Sequence, residues 1–152
     1  MKNSSISRIL LAAAPIIVAC GLIAPGTSAV AQSLERHCSN RTLVGAYGFA
    51  LEGEILGPGI QLRGVVMQRY DGRGHLTQVD HLVTSGFPPA EEWRPGSGTY
   101  TVNPDCTGVA VINVPGDPGS PVNLHFVVVR HGTEIHQVVD ANAVTAIGIK
   151  VD

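Results

Sequence analysis

From Leu43 to the end of the chain, apolar and polar residues alternate with period two. The alternation restarts after each cluster of Gly, Pro, Asn or Asp, which is the pattern of half-buried strands joined by turns. Leu43, Tyr47, Phe49 and Leu51 fall on one side of a first predicted strand, Leu43 to Glu54, with Gly48, Glu52 and Glu54 on the other. Gly57-Pro58-Gly59 turns the chain. A second strand runs from Ile60 to Tyr70, with Ile60, Leu62, Val66 and Tyr70 on one face and Gln61, Arg63 and Arg69 on the other. Asp71-Gly72-Arg73-Gly74 reads as a hairpin turn, because the later acidic ligands of a calcium loop are missing. In the third strand, His75 to Thr84, Leu76, Gln78, Asp80 and Leu82 share one face, and His75, Val79, His81 and Val83 the other. The pattern alone does not say which face is inside.

Ser85 to Gly98 is the longest stretch without alternation, and it holds the single tryptophan, Trp93. It is expected to be a long loop, with Trp93 either capping the end of the core or bordering a site. A fourth strand follows from Thr99 to Val102. Asn103-Pro104-Asp105 ends it, since proline cannot donate to a ladder. Further strands are expected at Thr107 to Val114, Val122 to Arg130, Thr133 to Asp140 and Ala143 to Val151, with His131-Gly132 as a two-residue turn. No amphipathic helix of useful length is present. About eight strands in sequence order predict an all-β fold, a single antiparallel up-and-down β-barrel, because closure removes exposed edges. A β-sandwich is the alternative.

The first residues do not fit this pattern. Lys2 and Arg8 precede an apolar run, Ile9 to Ala19; Pro25-Gly26 breaks the chain, and Ala29-Val30-Ala31 is a small-x-small site. This is the layout of a secretory signal peptide, residues 1–31, leaving one domain over 32–152. Ile17-Val18-Ala19-Cys20 also fits a lipobox, so a lipoprotein anchored to a membrane through Cys20 is the alternative. The expected location is secreted or periplasmic. The whole chain has 10 basic and 12 acidic residues. Loss of Lys2 and Arg8 leaves about −4, with no basic cluster, which argues against a nucleic-acid partner.

Two cysteines, Cys38 and Cys106, remain after such cleavage. An even count in an oxidising compartment predicts a disulfide between them. Neither has the close Cys or His neighbour that a zinc site requires.

Gly45-Ala46-Tyr47-Gly48-Phe49, Asp71-Gly72-Arg73-Gly74, Gly98 to Asn103, Asp105-Cys106-Thr107-Gly108 and Glu134-Ile135-His136 together resemble a group of small secreted bacterial proteins of unknown function. The resemblance implies a barrel similar in shape to lipocalin-type or allene-oxide-cyclase-type barrels. It carries no catalytic or ligand residue with it.

Two constellations offer chemistry. Pairing across His131-Gly132 puts His125, Glu134 and His136 on one face, with His125 and His136 diagonal neighbours, a set able to bind a metal or move protons. The opposite face, with Leu124, Phe126, Val128 and Ile135, is more apolar, so these histidines are expected outside and no metal is expected. The second set is Gln68, Gln78, Asp80 and Gln137 on the presumed inner face, with Trp93 at the mouth. Buried polar groups need partners, and a few of them in an apolar barrel describe a small-molecule site. No phosphate loop, dinucleotide fingerprint or nucleophile elbow is present, and no cofactor is expected.

The reading favoured is a non-enzymatic exported barrel binding a small, partly apolar molecule. One alternative is an isomerase or cyclase using Asp80 or His81. The other is a cell-envelope protein with a filled barrel that works through its surface.

Overall fold

A computed structural model describes residues 37–151 of the 152. The expected export signal, Cys20 and Gln32 lie outside the described residues. Eight strands follow in the order the alternation predicts: β1 (Gly45–Ile55), β2 (Ile60–Tyr70), β3 (His75–Thr84), β4 (Arg94–Val102), β5 (Thr107–Asn113), β6 (Val122–Val129), β7 (Glu134–Val139) and β8 (Ala143–Val151). Each pairs antiparallel with the next, and β8 pairs back onto β1. The sheet is therefore a closed up-and-down barrel, and the two-sheet alternative is excluded.

Period-two alternation now has a physical meaning: odd positions of β1 and even positions of β2 to β6 point into the lumen. Tyr47, Phe49, Leu62, Val66, Tyr70, Leu76, Tyr100, Val102, Ala110, Ile112, Leu124, Phe126, Val128 and Ile135 form the core. On β3 the inner face is the one with Leu76, Gln78, Asp80 and Leu82. Two rings use glycines on the neighbouring strand as their seats. Phe49 pairs with Gly148 and Phe126 with Gly108, and a Cβ at either glycine would collide with the ring.

One end is sealed. Tyr47, Tyr70 and Tyr100 pack edge to face there, with centroids 5.4 and 4.9 Å apart. A 3-10 turn, Asn40–Leu43, closes over them and buries Leu43 completely. Asn40 holds the turn in place: its Oδ1 accepts the Val102 N–H at 2.8 Å, and its carbonyl accepts the Tyr100 hydroxyl at 3.1 Å. The Tyr47 hydroxyl donates to the Gly132 carbonyl at 2.5 Å. Cys38 and Cys106 form the expected disulfide, and the Cys38 N–H donates to the Pro104 carbonyl at 3.1 Å.

Three local expectations are corrected. Residues 94–98 are not loop: β4 starts at Arg94 and pairs with β3 from Asp80↔Arg94 to His75↔Thr99. Pro95, Gly96 and Gly98 hide this strand from a propensity reading. Pro95 is tolerated because β4 meets β5 only from Ser97 onward, so its missing N–H breaks no ladder. Secondly, the β6–β7 connection is four residues, not two. The last pair is Val129↔Glu134, and both the N–H and the hydroxyl of Thr133 donate to the Arg130 carbonyl. Its register is still the expected one, with Val127↔His136 and His125↔Val138. Thirdly, Trp93 does not cap the core; it is 50 % exposed on the outside.

Candidate functional site

Three of the expected site residues meet in the lumen. Gln68 on β2 and Gln78 and Asp80 on β3 point inward, and Arg94, the first residue of β4, joins them. They form one hydrogen-bonded chain. The Tyr70 hydroxyl donates to Gln68 Oε1 (2.6 Å), Gln68 Nε2 to Gln78 Oε1 (3.0 Å), and Gln78 Nε2 to Asp80 Oδ2 (3.1 Å). Arg94 Nε donates to Asp80 Oδ1 (2.8 Å), and its Nη1 reaches Asp117 Oδ2 (3.0 Å) on the β5–β6 loop. The strip runs from the tyrosine-sealed end to the opposite mouth.

The chemistry of this strip is set by burial. Asp80 is 1 % exposed, and a carboxylate there is stable only when paired and hydrogen-bonded. Burial alone works against the charge of Arg94, but the Asp80 and Asp117 carboxylates outweigh it and hold the guanidinium above its ordinary pKa. Arg94 and Asp117 escaped the sequence reading because both lie in Gly/Pro-rich stretches. The signal for Arg94 was parity: it lies an even number of residues from Tyr100 and Val102, on their face.

Gln137, the remaining polar candidate, stands apart. It is 8 % exposed, on β7, diametrically opposite β3 in the closed sheet. Its strand neighbours are Ile135 and Val139, and its cross-strand partners are Phe126 and Ala146. None of these side chains can donate a hydrogen bond. Among the described residues, Gln137 Oε1 is the one fully buried side-chain oxygen or nitrogen without a partner.

The two ends of the lumen differ in access. At the sealed end Tyr47, Tyr70, Leu76 and Ile135 are all buried. At the other end the inward-facing Leu51, Leu82, Arg94, Val122 and Val139 are partly exposed, whereas Leu62, Val114 and Val144 at the same end are buried. Val139 lies one inward position above Gln137, next to the β7–β8 turn.

The outer wall holds the other candidates. Trp93 packs edge-on to His81, centroids 6.0 Å apart, and His81 Nδ1 lies 2.6 Å from the Glu92 carbonyl. Asp80 and His81 therefore face opposite sides of the wall, as adjacent strand residues must. His125 Nδ1 pairs with Asp140 (2.8 Å), and His136 Nε2 with Glu134 (2.5 Å), whose other oxygen takes Arg130 (2.8 Å). The three side chains weighed as a metal set are thus held in two separate pairs. No group of three metal-ligating side chains occurs among the described residues. An open groove of about 620 Å³ lies outside β8, β1, β2 and β3, with Ala50, Val65, Ile147 and His81 below an Arg63–Glu52 ion pair. The Asp71 carboxylate is consumed by its own turn. It accepts N–H groups from Arg73, Gly74 and His75, and the bonds from His75 and Arg73 pull its pKa down.

No protein-family model matches the chain, and no curated protein matches it in sequence. Solved structures similar to it include a de novo designed fluorescence-activating β-barrel, at 11 % identity and a TM-score of 0.45, covering 74 % of this chain and 96 % of that one. A redesigned β-barrel, mFAP1, bound to DFHBI is similar at 15 % identity and a TM-score of 0.46, over 73 % of this chain and 97 % of that one. At these identities and scores the likeness informs neither ligand nor activity.

Proposed function

We propose that this chain is an exported, non-enzymatic barrel that takes a small, partly apolar molecule into the open end of its lumen. The observation that carries this reading is the asymmetry of access. Inward-facing side chains are sealed at the tyrosine end, whereas Leu51, Leu82, Arg94, Val122 and Val139 at the Arg94 end keep partial exposure beside the buried Leu62, Val114 and Val144. An apolar wall of Leu51, Leu82, Val122 and Val139 with a few convergent polar groups is the composition of a small-molecule site. The Cys38–Cys106 bond supports an oxidising compartment, in line with the signal-like first 31 residues. Among the described residues no helix is long and apolar enough to cross a membrane. Kinship with the secreted bacterial group, or with lipocalin-type barrels, belongs to this proposal.

The test is a titration of 15N-labelled protein with neutral aromatic and aliphatic compounds, read by NMR and by Trp93 fluorescence. The amides of Leu51, Leu82, Val122 and Val139 should shift together and saturably. A panel that leaves all four unmoved overturns the reading.

A surface role for a filled barrel has one observation in its favour. Val65, Met67, Val79, Ile147 and Ile149 stand exposed on β2, β3 and β8, with Gly48 and Ala50 of β1 between β2 and β8, an apolar face of the kind used for contacts. Recovery of one defined partner by crosslinking at this face, with no lumen shifts, would favour it. The isomerase or cyclase alternative is weaker, because His81 faces outward and Asp80 is already held by Gln78 and Arg94.

A further inference from the structure

We infer that the groove outside β8, β1, β2 and β3 is a second small-molecule site, and that its occupant is a neutral, planar, largely apolar molecule whose N–H or O–H donates to His81 Nε2. This site is separate from the lumen and does not depend on it.

Register builds the groove. Ile147, Ala50, Val65 and His81 stand side by side in one row across the four strands. Thr145, Glu52 and Arg63 stand in a second row two residues away. The rows lie about 7 Å apart and the four strands span about 14 Å, so a planar ring system can stand between the rows. The floor is backbone, because Leu51 and Ala146 turn their side chains into the lumen and Gly64 has none. Ala50, the small member of its row, leaves the trough open between Val65 and Ile147, which are 50 % and 49 % exposed. The space measures about 620 Å³, within the range of small-molecule sites.

His81 gives the site its polarity. Its Nδ1 lies 2.6 Å from the Glu92 carbonyl. A carbonyl only accepts, so Nδ1 carries the proton and Nε2 of the neutral ring keeps its lone pair. Nε2 has no hydrogen-bond partner among the described residues. Trp93, edge-on to the same ring at 6.0 Å, helps to hold it in this orientation. Charge sets the rest. Glu52 and Arg63 form an ion pair with each other, so an ion entering the trough would meet no net opposite charge. The matching occupant is a neutral donor on an apolar body, with its rings against Ala50, Val65 and Ile147.

The experiment titrates methyl-labelled protein with indole and with 1-methylindole, which has the same rings and no donor, and follows the methyl signals by NMR. In wild type both compounds should shift the methyls of Ala50, Val65 and Ile147, and indole should bind about fivefold more tightly, the effect of one hydrogen bond. In His81→Asn the side-chain amide can still donate to the Glu92 carbonyl but puts no acceptor at the Nε2 position, so the preference should vanish. Ala50→Leu, an exposed substitution, should fill the trough and weaken both compounds about tenfold or more. Equal wild-type affinities, or a preference that survives in His81→Asn, overturn the inference. Shifts confined to the lumen methyls of Leu51, Leu82, Val122 and Val139 also overturn it and leave the lumen site standing. A titration that moves neither set overturns it too. If the outer methyls shift with protein concentration and sedimentation shows dimers, the trough is an interface between copies and the inference falls.

Discussion

Arg94 and Asp80 form an unequal pair, and the inequality can be measured. Side-chain exposure is 23 % for Arg94 and 2 % for Asp80. Removing the guanidinium strands a carboxylate in the lumen with only the Gln78 amide for company. Removing the carboxylate leaves Arg94 with Asp117 and with water at the mouth. Arg94→Leu should therefore destabilise the barrel by about 3–5 kcal/mol, the usual penalty for an uncompensated buried charge. Asp80→Asn should cost less, about 2 kcal/mol, because the one amide oxygen still accepts from Arg94 Nε and only the bond from Gln78 Nε2 is lost. Urea unfolding of both variants checks the order. Equal losses would mean that Arg94 and Asp80 are equally accessible in solution.

At the scale of elements, the turn Asn40–Leu43 has too little surface of its own to stay docked. It is held by Asn40 to β4, by Leu43 in the core and by the disulfide two residues before it. The bond joins residues 68 apart, so in the chain-entropy view it stabilises by about 4 kcal/mol through the unfolded state. The double variant Cys38→Ser/Cys106→Ser should lose that amount in urea. Hydrogen exchange at the Val102 amide should quicken before that of the β1–β2 ladder. Which elements could be read from sequence follows the same physics. β2, β3 and β8 match their expected bounds, because alternation persists between strong turn formers. Even the register across β6 and β7 was legible, being fixed by parity around the turn. The first half of β4 was not, since its evidence is pairing with β3 rather than any preference of Pro95, Gly96 or Gly98. The candidate site was legible in part for that reason: Gln68, Gln78, Asp80 and Gln137 announce themselves by parity, whereas Arg94 looks like loop until β3 is beside it. That Gln137 alone lacks a partner depends on side-chain reach across the lumen, which no spacing encodes.

Taken whole, the barrel is a closed sheet with a single hydrophobic plug, and the plug contains all three of the chain's tyrosines. Burial pushes the Tyr47 hydroxyl up to about 12, with the nearby Tyr100 adding to it. Burial also raises Tyr70 and Tyr100. An unfolded chain ionises its tyrosines near pH 10, whereas the folded one keeps these protons longer. Above pH 10 the unfolded state therefore binds fewer protons, and stability falls with rising pH. The stability the neutral hydroxyls contribute is fully present below pH 10 and is lost on the way to about pH 12, the Tyr47 value. Because all the tyrosines lie in the plug, ionisation and unfolding should be one event. Phenolate absorbance should rise in a single steep step, coincident with loss of the β-sheet circular dichroism. A gradual rise centred near pH 10, with the sheet signal intact, would mean that water reaches the plug and that the lumen is open at both ends.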